Sequence, residues 1–147
     1  DALVLLLDEP GSGLDPRARD RLLETLRRLA TRGMTIVFTT HDPGEAELAD
    51  RVAVMHMGKV VIEGAPRELI ARYAPKPRVR VKAPRHPSSL KARRLVAGLA
   101  EYEVEDEREA GLVAKVYSDE GIPIEWPELA RPGLREVFYE VTGERLE

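Results

Sequence analysis

The chain has 147 residues, of which 43% are hydrophobic and 33% are charged, and its formal net charge is -3. This composition is typical of a globular protein and argues against intrinsic disorder. The slightly acidic balance gives no reason to expect nucleic acid as a partner. No stretch reaches the roughly 20 apolar residues of a membrane-spanning helix, so we expect any membrane role to run through another subunit. The absence of cysteine excludes disulfides and thiolate metal sites.

The chain opens on an apolar run, residues 3–7, that ends in two adjacent carboxylates, Asp8 and Glu9. Aliphatic residues bounded by turn signals predict a strand that is buried on both faces of a parallel sheet. Open α/β sheets bind ligands at the carboxyl edge, where one acid can serve a magnesium ion and a second can orient water. The alternative is a solvated acid pair that simply ends the strand. Because the chain begins in this strand, we expect it to be the C-terminal portion of a longer protein.

A helix and a second strand follow. Asp15 and Pro16 are residue types that favour an N-cap and a first helical position. Leucines then recur at helical spacing until Gly33, which predicts an amphipathic helix with a solvated basic face. Residues 34–40 are rich in β-branched side chains and predict a strand.

The order strand, helix, strand determines where His41 should lie. Strands joined by one crossover helix pair in parallel, so both end at the same edge of the sheet. His41 follows the second strand and should therefore arrive beside Asp8 and Glu9. There its imidazole can donate a hydrogen bond to phosphate or hold an attacking water. The alternative is a structural histidine.

The next segments predict a β-hairpin of residues 51–57 and 59–63, followed by a helix from Pro66 to Tyr73. Residues 75–87 are proline-rich and basic, and they predict a linker after a first unit of residues 1–74. Within the linker, alternation at residues 78–82 indicates a solvated or edge strand. A nucleic-acid-binding strip is the alternative, but no aromatic residue interleaves the charges.

Residues 88–147 are predicted to form a small α/β accessory domain. Its expected elements are a helix over 88–99, strands over 102–105 and 112–117 joined by an acidic turn, and a last short strand over 122–126. Trp126 is expected to pack against the helix.

Several motifs resemble, in order and spacing, those of ABC-transporter ATPases. Residues 3–10 (LVLLLDEP) resemble the Walker B segment, residues 13–15 (GLD) the D-loop, and residues 40–41 (TH) the H-loop. The continuation through residues 45–66 also resembles the end of that ATPase domain. The resemblance covers residues 1 to about 73 without a gap, and it implies the C-terminal portion of a P-loop NTPase domain.

The resemblance also implies roles for individual residues. Asp8 would help to position Mg²⁺ through water, and Glu9 would polarise the hydrolytic water. His41 would sense the γ-phosphate of ATP, and Asp15 would lie at a dimer interface that links two ATP sites. The family hydrolyses ATP between two such subunits, in a homodimer or heterodimer, and thereby drives permease subunits in the membrane. The chain would then be cytoplasmic and peripheral to the cell membrane.

The sequence departs from the family in one respect. The phosphate-binding pattern G-x-x-x-x-G-K-[ST] and a Leu-Ser-Gly-Gly-Gln-type signature are absent from all 147 residues. Without the backbone N–H groups and the lysine of that loop, little would hold a triphosphate. We therefore expect the chain by itself not to turn over ATP.

The C-terminal residues 132–143 (PGLREVFYEVTG) resemble the ending of ATPase subunits of ABC-2-type exporters. This ending favours an exporter subunit over the alternative of an importer ATPase. A second alternative, from another class, is a non-catalytic regulatory or dimerisation module that binds a complete ATPase.

Overall fold

The computed structural model describes residues 3–125 and 127–144. The chain is a mixed α/β protein with one parallel and two antiparallel sheets. In chain order the elements are β1 (Val4–Leu7), α1 (Pro16–Ala30), β2 (Thr35–Phe38), α2 (Pro43–Ala46), β3 (Val52–His56), β4 (Lys59–Gly64), α3 (Pro66–Tyr73), β5 (Arg78–Lys82), β6 (Arg94–Val96), β7 (Leu99–Glu103), α4 (Glu107–Asp119), β8 (Glu128–Ala130) and α5 (Leu134–Thr142). None of the helices in the described ranges is both long and apolar enough to cross a membrane.

The predicted strand–helix–strand unit is confirmed. β1 and β2 pair in parallel, with Val4 opposite Thr35 and Leu7 opposite Phe38. Asp15 caps α1 as predicted, because its carboxylate accepts the backbone N–H groups of Arg17 and Ala18.

The prediction that β1 is buried on both faces is wrong. Leu6 is 74% exposed, and Val37 on the neighbouring strand is 53% exposed. Along both strands, exposed side chains alternate with half-buried ones. Successive side chains point to opposite faces of a sheet, so among the described residues only one face of this two-stranded sheet is covered.

The hairpin β3–β4 and the helix α3 also lie where the sequence predicts them. The C-terminal helix α5 packs on α3, and Leu69 forms a buried cluster with Leu134 and Val137. The carboxylate of Glu47, just after α2, accepts the backbone N–H of Leu134 at 2.8 Å. Residues near the end of the chain are thereby attached to the segment that follows His41.

The remaining four strands form an antiparallel sheet in the order β6-β7-β5-β8, and α4 packs against it. The predicted linker, residues 75–87, therefore contains an interior strand. β5 is bonded on both sides, by β7 and β8, so its prediction as an edge strand is wrong. Its Val79 and Val81 are fully buried in the sheet's core, while its charged residues face outward. The division into domains at residues 74 and 88 stays a prediction.

The helix predicted over residues 88–99 is wrong. Arg94–Val96 and Leu99–Glu103 instead form the hairpin β6–β7. Ala97 and Gly98 form its turn, with φ of 48° and 80°. Two consecutive residues with positive φ make the tight turn that joins twisted strands, and they cannot lie within a right-handed helix.

The strand predicted over residues 112–117 is also wrong, because these residues lie within α4. Asp106, expected in an acidic turn, caps this helix by accepting the N–H groups of Arg108 and Glu109. Val113 and Tyr117, one helical turn apart, bury the helix against the sheet. The last strand is Glu128–Ala130 rather than 122–126. Trp126 lies outside the described residues, and the helix over residues 88–99, against which it was expected to pack, does not form.

Candidate functional site

The two acids after β1 are held by a threonine that follows β2. The Thr39 hydroxyl donates to Oδ1 of Asp8 at 2.5 Å and accepts the backbone N–H of Glu9 at 2.9 Å. Glu9 itself has a φ of 42°, in the left-handed region that non-glycine residues seldom adopt. This strained backbone turns the chain sharply away from the strand, and the threonine fixes the turn from the neighbouring strand.

His41 lies beside Glu9, as the parallel pairing predicts. Its Nδ1 atom is 3.4 Å from Oε1 of Glu9, and the two side chains are 67% and 48% exposed. Residues that are 32 positions apart in the sequence therefore meet at one edge of the sheet. An exposed carboxylate next to an exposed imidazole is arranged to contact a ligand or a water molecule from solvent.

Glu9 and His41 open onto a small polar cleft between the turn after β1 and the segment after β2. Asp8 does not line this cleft, and neither does Asp15, whose carboxylate caps α1. The cleft is lined by Glu9, Gly11, Ser12, Gly13, Arg19, Thr40, His41, Asp42 and Glu45.

Sequence reasoning missed three residues of this region: Thr39, Arg19 and Glu45. Arg19 was expected on the solvated face of α1, but it donates to Oδ2 of Asp42 at 2.7 Å. Its Nε also lies 3.2 Å from Oε1 of Glu45. A detectable signal for Thr39 was its position directly after a strand at the ligand-binding edge. No sequence signal marks Arg19 and Glu45 as partners, because they lie in two helices and not at the ends of paired strands.

The carboxylate of Asp8 fits a Mg²⁺ ion that is held through water. Mg²⁺ keeps several waters and is usually bound by one or two carboxylates together with substrate phosphates. Asp8 is exposed and its Oδ1 atom is oriented by Thr39. The described residues contain no group of three or more acids and histidines that could form a cage for a metal ion. The exposed carboxylate of Asp8 is the group that would contact the hydration shell of such an ion.

Comparison with known proteins connects this site to ATP-binding proteins. Residues 1–47 match the family described as "AAA domain, putative AbiEii toxin, Type IV TA system". The Nod factor export ATP-binding protein I of Rhizobium etli is 51% identical over 71 residues, which is 48% of this chain and 22% of that protein. The Energy-coupling factor transporter ATP-binding protein EcfA2 of Symbiobacterium thermophilum is 50% identical over 72 residues, with 48% and 25% covered.

A third relative extends along nearly the whole chain. The Daunorubicin resistance ATP-binding protein DrrA2 of Streptomyces coeruleorubidus is 34% identical over 159 residues, covering 98% of this chain and 49% of that protein. The chain thus spans about half, or less, of the length of these curated relatives. The chain is thus similar to part of several ABC-type ATP-binding proteins.

Proposed function

We propose that the chain is the C-terminal part of the ATP-binding and ATP-hydrolysing subunit of an ABC transporter. The observation that carries this proposal is the meeting of Glu9 and His41, 3.4 Å apart, at the carboxyl edge of two parallel strands. Hydrolysis of a phosphoanhydride needs a group that accepts a proton from water and a donor near the phosphate oxygens. A carboxylate and an imidazole in contact supply both.

In this proposal each side chain has a separate task. Glu9 orients the hydrolytic water and accepts its proton, and His41 donates a hydrogen bond to the γ-phosphate. Asp8, with its carboxylate oriented by Thr39, would hold Mg²⁺ through water. When bound, Mg²⁺ neutralises charge on the phosphate oxygens. Asp15 lies at the interface with a second ATPase subunit.

The chain lacks the glycine-rich phosphate loop, so we propose that it does not hydrolyse ATP by itself. The proposed working unit is a homodimer or heterodimer of complete ATPase subunits. It would be attached to permease subunits on the cytoplasmic side of the membrane. Two features support an ABC-2-type exporter: the ending of residues 132–143, and a match to the daunorubicin resistance protein over 98% of the chain. The match to the energy-coupling factor protein covers only 48% of the chain.

The experiment that tests the proposal is ATP hydrolysis by the full-length protein that carries this segment. Glu9→Gln removes the proton acceptor while keeping the side chain's size, so kcat should fall by about 100-fold or more while ATP still binds. Glu24→Gln, the same chemical change on the exposed surface of α1, should leave kcat unchanged. Undiminished turnover by the Glu9 variant would show that Glu9 does not activate water.

A further inference from the structure

Glu45 is a buried carboxylate to which the roles proposed for Asp8, Glu9 and His41 assign nothing. Only 4% of its surface is exposed, although it belongs to a helix of four residues beside an open cleft. The Thr40 hydroxyl donates to its Oε2 atom at 2.7 Å. Arg19 Nε lies 3.2 Å from its Oε1 atom without forming a hydrogen bond, so that contact is one of charge.

The same carboxylate also packs against the turn that follows the acid pair. A Cβ atom built on Gly11 would lie 2.1 Å from Oε1 of Glu45, closer than any two such atoms can approach. Gly11 is buried, and its φ is outside the positive range. A side chain at this position would have to displace the Glu45 carboxylate, although the backbone conformation there would accept one.

These contacts join three segments that form the cleft. Gly11 belongs to the turn two residues after Glu9, Thr40 directly precedes His41, and Arg19 lies in the first turns of α1. A buried carboxylate is costly unless a charge and hydrogen-bond donors compensate it. Glu45 has both kinds of partner only when α1 and the segment before His41 keep their observed arrangement. The turn after Glu9 packs against the same carboxylate at Gly11.

We propose that Glu45 is a positioning residue that fixes the distance between Glu9 and His41. Within the described part of the chain, neither a hydrogen bond nor an ion pair joins it to Glu9 or His41. Instead it holds the turn that carries Glu9 and the segment that carries His41 against a common anchor, Arg19. The consequence for ATP hydrolysis rests on the proposed function, whereas the geometric claim does not. A misplacement of about 1 Å between groups that act on one water can cost on the order of 100-fold in rate.

The test is a double-mutant comparison by NMR on the 147-residue chain, without nucleotide. The ring ¹H–¹³C signals of His41, assigned with a His41→Gln variant, report its contact with Glu9. Glu9→Gln should change the chemical shifts of these signals in the otherwise unchanged chain, and the size of this change is the displacement compared below. In a Glu45→Ala background the displacement should fall to less than half, because the two segments are no longer held together. An equal displacement in both backgrounds, or none in either, would overturn the proposal.

Two further variants keep the test decisive if Glu45→Ala perturbs folding. Glu45→Gln keeps the acceptor for Thr40 but loses the charge that faces Arg19, so it should also reduce the displacement. A full displacement in that background would overturn the proposal. Gly11→Ala leaves Glu45 intact but blocks its approach to the turn, and it should reduce the displacement in the same way. Glu24→Ala on the exposed surface of α1 is the control, and it should leave the displacement unchanged.

The activity measurement separates this proposal from the proposed function. In the full-length ATPase, Glu45→Gln should lower kcat by about 10-fold or more with little change in KM, since it disturbs the water-activating pair and not the binding of ATP. A change confined to KM would contradict a positioning role. If Glu9→Gln leaves hydrolysis intact, the proposed function is wrong, but the NMR comparison still decides the role of Glu45.

Discussion

Replacing Tyr117 with phenylalanine should strongly destabilise the four-stranded sheet. Tyr117 is fully buried, and its hydroxyl lies 2.6 Å from Nδ1 of His86 and 2.7 Å from the hydroxyl of Tyr102. The Nε2 atom of His86 is buried without a hydrogen-bond partner among the described residues. The variant therefore removes two hydrogen bonds, one from His86 and one from Tyr102.

The expected cost follows from these contacts. A hydrogen bond contributes about 1 kcal/mol net, and a buried polar group left unpaired costs about 1–3 kcal/mol. The variant leaves two former partners unpaired, Nδ1 of His86 and the Tyr102 hydroxyl, and should lower the free energy of unfolding by about 2–6 kcal/mol. Urea unfolding followed by circular dichroism measures this change. Tyr73→Phe is the matched control, because the Tyr73 hydroxyl has no hydrogen bond within the described part of the chain. Equal losses in the two variants would refute the reasoning.

Burial of Tyr117 also predicts that the free energy of unfolding falls at alkaline pH. Burial, and next the hydrogen bond with Tyr102, raise the pKa of Tyr117 well above its ordinary value. The unfolded chain then loses this proton at lower pH than the folded chain does. The contribution to stability is fully present below the unfolded pKa of about 10 and is lost as the pH rises above it. Between pH about 9 and about 11, Tyr117→Phe should therefore show a smaller fall in unfolding free energy than the unchanged chain.

Two other predictions concern the C-terminal helix and nucleotide binding. Val137 is 0% exposed between α5 and α3, so Val137→Ala should cost about 2–3 kcal/mol of unfolding free energy. The control Val96→Ala, at a side chain that is 52% exposed, should cost under about 0.5 kcal/mol. Similar losses in the two variants would contradict the docking of α5. Since the phosphate loop is absent from its sequence, the isolated chain should bind ATP no more tightly than about 1 mM by calorimetry, and micromolar binding would contradict the assignment of the phosphate contacts to another segment.

The first half of the chain could be predicted from sequence because its local signals agree with one another. Asp15 and Pro16 favour a helix start, and the structure uses both in that way. The aliphatic run before Asp8 and the β-branched run before Thr39 have only one compatible pairing, which is parallel. Their order along the chain then determines which polar residues meet.

In the second half the local signals conflict, and the predictions fail there. Residues 112–117 are mostly apolar, like a buried strand, and Gly111 resembles a turn, yet both lie within α4. The helix forms because Asp106 caps it and because Val113 and Tyr117 can be buried on the same sheet. Likewise, the leucine and valine spacing near residues 90–99 suits a helix, but the hairpin turn at Ala97 and Gly98 excludes one.

The sequence by itself determined the two acids at the end of a strand, the parallel pairing and the arrival of His41 beside them. These follow from chain order and from the period of apolar residues, both of which are local properties. Only the tertiary structure decided which faces are buried, that Thr39 orients Asp8, and that Glu45 is enclosed with Arg19. The physical reason is that burial and ion pairing depend on which distant segments come into contact, and a carboxylate has the same identity in the sequence whether it lies in solvent or against an arginine.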